Sequence, residues 1–136
     1  MNYVELHCKS SFSFLQGTSS ADQLVQRAMK LGYAGLAITD RNTLAGIVRG
    51  HGAAGDAELQ YIVAAELTFD DAPPCVVWIR NRSAYASLCR LLTLGRRQAS
   101  KGNCRLSFED LVSHGDEFLL GVIPDWNRVS TETASD

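Results

Sequence analysis

The sequence predicts an α/β fold with a mostly parallel sheet, either open or curled into a barrel. Three observations support this fold class. Short apolar stretches typical of strands recur along the chain, stretches with helical periodicity separate most of them, and helix start and stop signals bound the helical stretches. At 136 residues, the chain is long enough for one domain with its own core and too short for two ordinary domains.

Five stretches have the pattern of strands. The first alternates Val4, Leu6 and Cys8 with polar residues, and the next three are short apolar runs of the kind that parallel sheets bury. Pro124 ends the fifth stretch, because proline cannot donate to a strand ladder. In order, the predicted strands are Tyr3–Cys8, Gly35–Thr39, Tyr61–Ala65, Cys75–Ile79 and Glu117–Ile123.

Four stretches have the pattern of helices. Ser20 begins the first with a capping-box sequence, and Gly32 ends it. The second runs from about 43 to 54 and is weakened by three glycines. The third has an apolar face that ends at Gly95, and Ser107 begins the fourth with a looser cap. The residues that mark the apolar face of the third helix are Tyr85, Leu88, Cys89 and Leu92.

Composition narrows the class of protein. The chain is 46% hydrophobic and 21% charged, which is typical of a globular protein. It has neither an apolar run of the ~20 residues needed to span a bilayer nor the pattern of a signal peptide at its amino terminus. Four cysteines without a C-x-x-C pair predict reduced thiols, so we expect a cytoplasmic protein without a membrane partner.

Positive charge is concentrated in one segment, although the net charge of the chain is −2. No acidic residue occurs from Ala72 to Phe108, whereas seven arginines and lysines do. Two interpretations remain open: the segment contacts nucleic acid or an acidic protein surface, or it is the solvated side of a helix and its following loop. The candidate nucleic-acid-binding residues are Arg96, Arg97 and Lys101.

Polar side chains stand at the ends of the first three predicted strands. His7 and Lys9 follow the first strand, Asp40 and Arg41 the second, and Glu66 the third. The carboxyl ends of parallel strands meet at one edge of a sheet, so we expect these side chains to converge there. An imidazole with carboxylates suits a hydrolytic Zn, Mn or Fe site, but all five residues are also compatible with ordinary polar strand ends.

Several blocks of the sequence resemble the amino-terminal PHP (polymerase and histidinol phosphatase) domain of bacterial C-family DNA polymerases. The similarity is greatest to the error-prone relatives of the DNA polymerase III alpha subunit. In chain order, the matching blocks are YVELHCKSSFSFLQG, LGYAGLAITDRNTLAGIVR, IVAAEL, VVWIRNRSAYASLCRLLTLGRR and CRLSFEDL. The resemblance implies a partial, distorted βα barrel over residues 1–126, and residues 127–136 are predicted to form a disordered polar tail.

The resemblance also assigns the remnant metal-ligand positions. His7, Asp40 and Glu66 match ligand positions of the family, whereas Lys9 and Arg41 replace two histidines. Two further ligands are neutral or absent: Gln16 stands where many relatives have an aspartate, and no histidine occurs around residues 73–75. We therefore expect no bound cofactor, although intact PHP sites hold Zn, Mn or Fe and the polymerase core uses Mg.

The resemblance implies a parent protein that synthesises DNA across damage. Its partners would be the rest of the polymerase chain, DNA, the sliding clamp and accessory mutagenesis proteins. This chain has no polymerase catalytic carboxylates, and we expect it to be a non-catalytic piece: an excised fragment, a truncated reading frame or a stand-alone remnant. Two alternatives remain: a small metal-dependent PHP-class phosphoesterase or 3'-5' exonuclease, and a nucleic-acid-binding module.

Overall fold

A computed structural model describes residues 2–55 and 57–125 of the chain. Within these residues, strands and helices largely follow the predicted order. The strands are β1 (Val4–Cys8), β2 (Gly35–Ile38), β3 (Gln60–Leu67), β4 (Cys75–Ile79) and β5 (Phe118–Val122). The helices are α1 (Ala21–Lys30), α2 (Ile47–Ala54), α3 (Arg82–Arg97) and α4 (Phe108–His114). The predicted tail, residues 127–136, lies outside the described residues.

The five strands form one sheet in the order β1-β2-β3-β4-β5. β1, β2 and β3 pair in parallel, whereas β4 is antiparallel to both β3 and β5. Four strands therefore run in one direction, and β4 alone is reversed. The reversal follows from the connection, because residues 68–74 contain no helix and are too short for the crossover that parallel strands require. The predicted fold class is confirmed, but neither pairing of β4 is parallel.

A tryptophan on β4 shows how strongly the sheet curls. Trp78 Nε1 donates a hydrogen bond of 2.9 Å to the carbonyl oxygen of Leu6 on β1, although two strands lie between β1 and β4 in the sheet. On the other side, β5 passes close to the same ring at Gly121, where an added Cβ would lie 2.6 Å from the indole. The sheet is thus a curled half-barrel, with Trp78 across its concave face.

The helices cover the convex face and complete two apolar clusters. One cluster joins α1 and α2 to β2, with Val25, Leu36 and Ile38 almost fully buried. The other joins α3 and α4 to β3 and β4, with Leu88 and Leu91 fully buried. Burial of this kind contributes about 25 cal/mol per Å² of apolar surface, so these two clusters hold the helices on the sheet.

Two helix boundaries differ from the prediction. α2 begins at Ile47 instead of 43, because Asn42 has a positive φ of 52° and residues 45 and 46 form a turn. α3 does not end at Gly95 but continues to Arg97. Gly95 is buried, and an added Cβ would lie 2.6 Å from Cys104 Sγ, so this glycine allows the following loop to pack closely on the helix.

The stop signal at Gly32 is confirmed. α1 ends at Lys30, and Gly32 has a φ of +70°, the left-handed conformation that commonly follows a helix. The capping sequence that begins at Ser107 is confirmed as well, since Ser107 and Asp110 exchange backbone-to-side-chain hydrogen bonds of 2.9 and 3.2 Å. No helix among residues 2–55 and 57–125 is long and apolar enough to cross a membrane.

Candidate functional site

The carboxyl ends of β1, β2 and β3 lie at the same edge of the sheet because the three strands are parallel. An isolated bridge between Arg41 and Glu66 extends the pairing of β2 and β3 to this edge. The structure there gathers three of the predicted side chains around Glu66: those of His7, Lys9 and Arg41.

Glu66 is the centre of this charged cluster, and its side chain is only 8% exposed. Its Oε2 atom lies 2.8 Å from His7 Nε2 and 2.7 Å from Lys9 Nζ. Arg41 is more distant, with Nε 4.0 Å from Oε1 and a side chain that is 52% exposed. Lys9 is therefore the close cationic partner of Glu66, and Arg41 is a peripheral one.

The ammonium group of Lys9 is enclosed by the protein. Its nitrogen is buried, and in the described part of the chain it makes the ion pair with Glu66 without a well-directed hydrogen bond. A buried cation is costly unless an anion lies nearby, so the short contact with Glu66 compensates for its desolvation.

The charged cluster lowers the pKa of Glu66 below its ordinary value of 4.5. Burial alone acts in the opposite direction and is the largest single influence, because it disfavours the charged carboxylate. The short contacts and the charges of Lys9 and His7 together outweigh burial. Glu66 is therefore an anion at neutral pH that a cation and an imidazole hold in place.

Asp40 does not join this cluster, although the sequence predicted that it would. Its Oδ1 accepts hydrogen bonds of 2.8 Å from Ser10 N and 2.7 Å from Ser13 Oγ, and its Oδ2 accepts one of 2.6 Å from Ser10 Oγ. All three residues are buried, and among the described residues no lysine, arginine or histidine forms an ion pair with Asp40. Neutral donors from Ser10 and Ser13 therefore satisfy the Asp40 carboxylate.

Sequence reasoning missed Ser10 and Ser13. Their signal is the S-S-F-S segment directly after the first strand, where short hydroxyl side chains can satisfy a buried acceptor. Ser13 Oγ also accepts a hydrogen bond of 3.0 Å from Arg41 N. The hydroxyl group of Ser13 therefore binds both Asp40 and Arg41, two consecutive residues that follow β2. The function of Asp40 visible here is structural: it fixes the loop between β1 and α1.

A divalent metal ion at this edge of the sheet would have to displace existing side-chain contacts. A metal shared by His7 and Glu66 would need the free lone pair of the imidazole and a free carboxylate oxygen, but these two atoms are hydrogen-bonded to each other. Lys9 Nζ lies 2.7 Å from the same oxygen. In the described part of the chain, no three histidine, cysteine, aspartate or glutamate side chains are grouped so that they could hold a metal.

Gln16 and the two other histidines of the described chain lie elsewhere. Gln16 is exposed on the loop after β1. His51 packs edge-on to the ring of Tyr61, with centroids 6.3 Å apart, and His114 lies 2.8 Å from the carbonyl oxygen of Asp110 on α4. None of these side chains belongs to the cluster around Glu66.

One candidate nucleic-acid-binding residue has an internal contact. Arg96 donates hydrogen bonds of 2.8 Å to the carbonyl oxygen of Asn42 and 3.2 Å to that of Gly102, so it connects the end of α3 to the turn after β2. Arg97 and Lys101 are exposed. All three residues are exposed, and Arg96 differs from the other two because its guanidinium also makes these internal hydrogen bonds.

The family profile of the PHP domain matches residues 5–126, nearly the whole of the described chain. This chain belongs to the PHP domain family. Curated relatives carry the name error-prone DNA polymerase. The relative from Rhodopirellula baltica is 56% identical over 123 residues, which are 90% of this chain and 11% of the relative. The relative from Pseudomonas aeruginosa is 48% identical over 124 residues, which are 91% of this chain and 12% of the relative.

A more distant relative, error-prone DNA polymerase 1 of Agrobacterium fabrum, is 40% identical over 123 residues, again 90% of this chain and 11% of the relative. The PHP domain thus spans about a ninth of the length of the curated relatives it matches. In those relatives the matched region is part of a much longer polymerase chain.

Solved structures share the fold. A protein assigned as a metal-dependent phosphoesterase from Bifidobacterium adolescentis superposes with a TM-score of 0.58 and 22% identity, over 85% of this chain and 44% of that protein's chain. An amidohydrolase from Chromobacterium violaceum superposes with a TM-score of 0.58 and 21% identity, over 69% of this chain and 33% of that protein's chain. At these identities the likeness establishes the fold alone.

Proposed function

We propose that this chain is a non-catalytic PHP domain of an error-prone DNA polymerase, in which an ion-pair cluster replaces the metal site. The observation that carries the proposal is the position of Lys9, whose ammonium group lies 2.7 Å from Glu66 Oε2. A side-chain cation at this position supplies the positive charge that a metal would bring. The domain keeps the fold without the chemistry and serves as a scaffold beside the polymerase core.

The enzymatic alternative depends on the positions that have changed. A PHP-class phosphoesterase or 3'-5' exonuclease would need metal-activated water, and hence ligands that are neutral or anionic. Lys9 and Arg41 are cations, and Asp40 already accepts three hydrogen bonds. The geometry therefore favours the scaffold over the hydrolase.

Metal content tests the proposal directly. We expect the purified and dialysed protein to contain no stoichiometric Zn, Mn or Fe by elemental analysis, because Lys9 repels a cation from Glu66. The double variant Lys9→His, Arg41→His is the matched comparison, since it restores two imidazoles. About one metal ion per wild-type chain, lost on His7→Ala, would contradict the proposal.

The basic segment gives a second, independent test that concerns DNA. Any binding by Arg97 and Lys101 should be weak, independent of sequence and steeply salt-dependent, because it would come from phosphate contacts. Replacing both with alanine should flatten the log–log salt dependence by about two units, whereas Arg96 must be kept because of its internal hydrogen bonds. Absence of binding by the wild type in low salt would show that the segment is a solvated face.

A further inference from the structure

Helix α3 carries a row of arginines on its exposed face. Arg82, Arg90 and Arg97 are spaced eight and seven residues apart along this helix of 16 residues, and all three are exposed. A rise of about 1.5 Å per residue places successive arginines about 12 and 10.5 Å apart along the helix axis. A rotation of about 100° per residue places all three within about 80° of one another around the axis. These three residues are called the arginine row below.

The arginine row has no acidic partner in the described part of the chain. None of its guanidinium groups forms an ion pair among residues 2–55 and 57–125. Arg90 donates a hydrogen bond of 2.9 Å to Ser87 Oγ, which is a neutral acceptor. The positive charges of the row are therefore free to attract anionic groups from outside the described domain.

Arg82 stands where a helix disfavours a cation. It is the first residue of α3, and the first turn of this helix has no acidic residue. The positive end of the helix dipole opposes a cation at this position. The stability of α3 therefore does not explain why an arginine begins the row.

The surface between the arginines allows a partner to approach closely. On the same side of α3, the residues between them include Ala86 and Thr93, which have short side chains. A shallow groove with a volume of about 320 Å³ lies between the second and third arginines and is lined by Cys89, Thr93 and Leu94. This groove is large enough for one apolar side chain, with a cation on each side of it.

We propose that the arginine row docks an amphipathic helix of a separate protein, on which acidic side chains recur every seven or eight residues and flank an apolar one. Residues with that spacing share one face of a helix and lie about 10.5 and 12 Å apart, so three of them match the row. The apolar side chain fills the groove on α3. The inference goes beyond the proposed function and does not depend on the metal content of the chain.

Charge spacing favours a protein partner over nucleic acid. Phosphates recur about every 3.4 Å along the axis of one DNA strand, so the widely spaced arginines would leave most of the phosphates beside α3 without a partner. Proteins that bind single strands also provide aromatic side chains on which bases stack. The one aromatic residue of α3 is Tyr85, and it lies about 60° to the side of the row.

A titration with a designed peptide tests the inference. The peptide is labelled with fluorescein, is built from about 24 residues of mainly alanine and glutamine, and carries three glutamates with the spacing of the row and a leucine between them. We expect saturable binding to the 136-residue chain at low salt, measured by fluorescence anisotropy. Replacing all three arginines of the row with glutamine should weaken binding at least about tenfold, the combined effect of three exposed ion pairs. No binding by the wild type, or equal binding by both chains, would overturn the inference.

A charge exchange at the centre of the row tests the pairing itself. Arg90 is the middle arginine, so it faces the middle glutamate of the peptide whether the two helices run parallel or antiparallel. Arg90→Glu should weaken binding of the original peptide, because two carboxylates then face each other. A second peptide, with lysine in place of the middle glutamate, should bind this variant more tightly than the original peptide does. Failure of the second peptide to restore binding would contradict the docking of an acidic helix on this row.

Matched controls separate specific pairing from general attraction between charges. Arg27→Gln, Lys30→Gln and Arg49→Gln together remove the same charge from α1 and α2 and should leave the peptide affinity unchanged. A peptide of identical composition, with its glutamates on different faces of the helix, should bind more weakly than the original. Equal affinities of the two peptides, or an equal loss in the control variant, would show that only net charge matters and would overturn the inference.

Nucleic acid is tested under the same conditions. If single- or double-stranded DNA binds more tightly than the peptide and the glutamine variant loses that binding, the row is a nucleic-acid surface and the inference is wrong. Without peptide, the glutamine variant should unfold at the wild-type midpoint, because the three side chains are exposed and lack ion pairs among the described residues. If its midpoint is lowered, the lysine peptide and Arg90→Glu decide the question, since restored binding requires a folded chain.

Discussion

Replacing Asp40 with alanine is expected to lower the free energy of unfolding by about 3–5 kcal/mol, the range typical of removing one partner from a buried charged network. The variant leaves three buried donors without an acceptor: Ser10 N, Ser10 Oγ and Ser13 Oγ. Chemical denaturation monitored by circular dichroism gives the change directly.

Two variants make the Asp40 result interpretable. Asp116→Ala removes an exposed carboxylate and should stay within about 0.5 kcal/mol of wild type. Ser13→Ala removes one of the three donors to Asp40 and should cost about 1–2 kcal/mol, which remains measurable if Asp40→Ala does not fold. Equal midpoints for Asp40→Ala and Asp116→Ala would show that the buried hydrogen bonds around Asp40 do not stabilise the domain.

The second large effect concerns Lys9. Lys9→Ala is expected to destabilise the domain by about 1–3 kcal/mol, because it leaves the buried Glu66 carboxylate without its close cation. Arg41→Ala should cost less than about 1 kcal/mol, since Arg41 is half exposed and 4.0 Å from Glu66. Denaturant melts of both variants at neutral pH provide the comparison. Equal losses for the two variants would contradict the assignment of Lys9 as the principal partner.

The same pair predicts how stability depends on pH. The folded-state pKa of Glu66 lies below its ordinary value of 4.5, so the carboxylate binds protons more readily in the unfolded chain. Its contribution is therefore fully present above pH 4.5 and is lost as the pH falls through the lowered pKa. The difference between wild type and Lys9→Ala should shrink over this acidic range, and a constant difference would argue against the ion pair.

Much of the fold could be predicted from short stretches of sequence. The stop at Gly32 and the cap formed by Ser107 and Asp110 involve residues within one or two turns of each other, so local sequence suffices to recognise them. Gly95 shows the limit of this reasoning. It resembles a helix stop, but its role depends on the approach of Cys104 from the following loop.

In the candidate site, too, some features follow from the sequence and others depend on side-chain packing. The placement of His7, Lys9, Arg41 and Glu66 at one edge follows from strand order, because parallel strands bring their carboxyl ends together. Which cation lies closest to Glu66 is a matter of about an ångström in side-chain position, and only the packed structure shows that it is Lys9.

By itself, the sequence determined the order of strands and helices, the family, and the charged residues at the edge of the sheet. Only the tertiary structure decided the partners of these residues. Asp40 is bound by Ser10 and Ser13 from about thirty positions earlier in the chain, and Arg96 is bound to the carbonyl oxygen of Asn42 on another element. The physical reason is that a hydrogen bond inside a turn or helix depends on neighbouring residues, whereas a contact between distant segments depends on how all the elements pack.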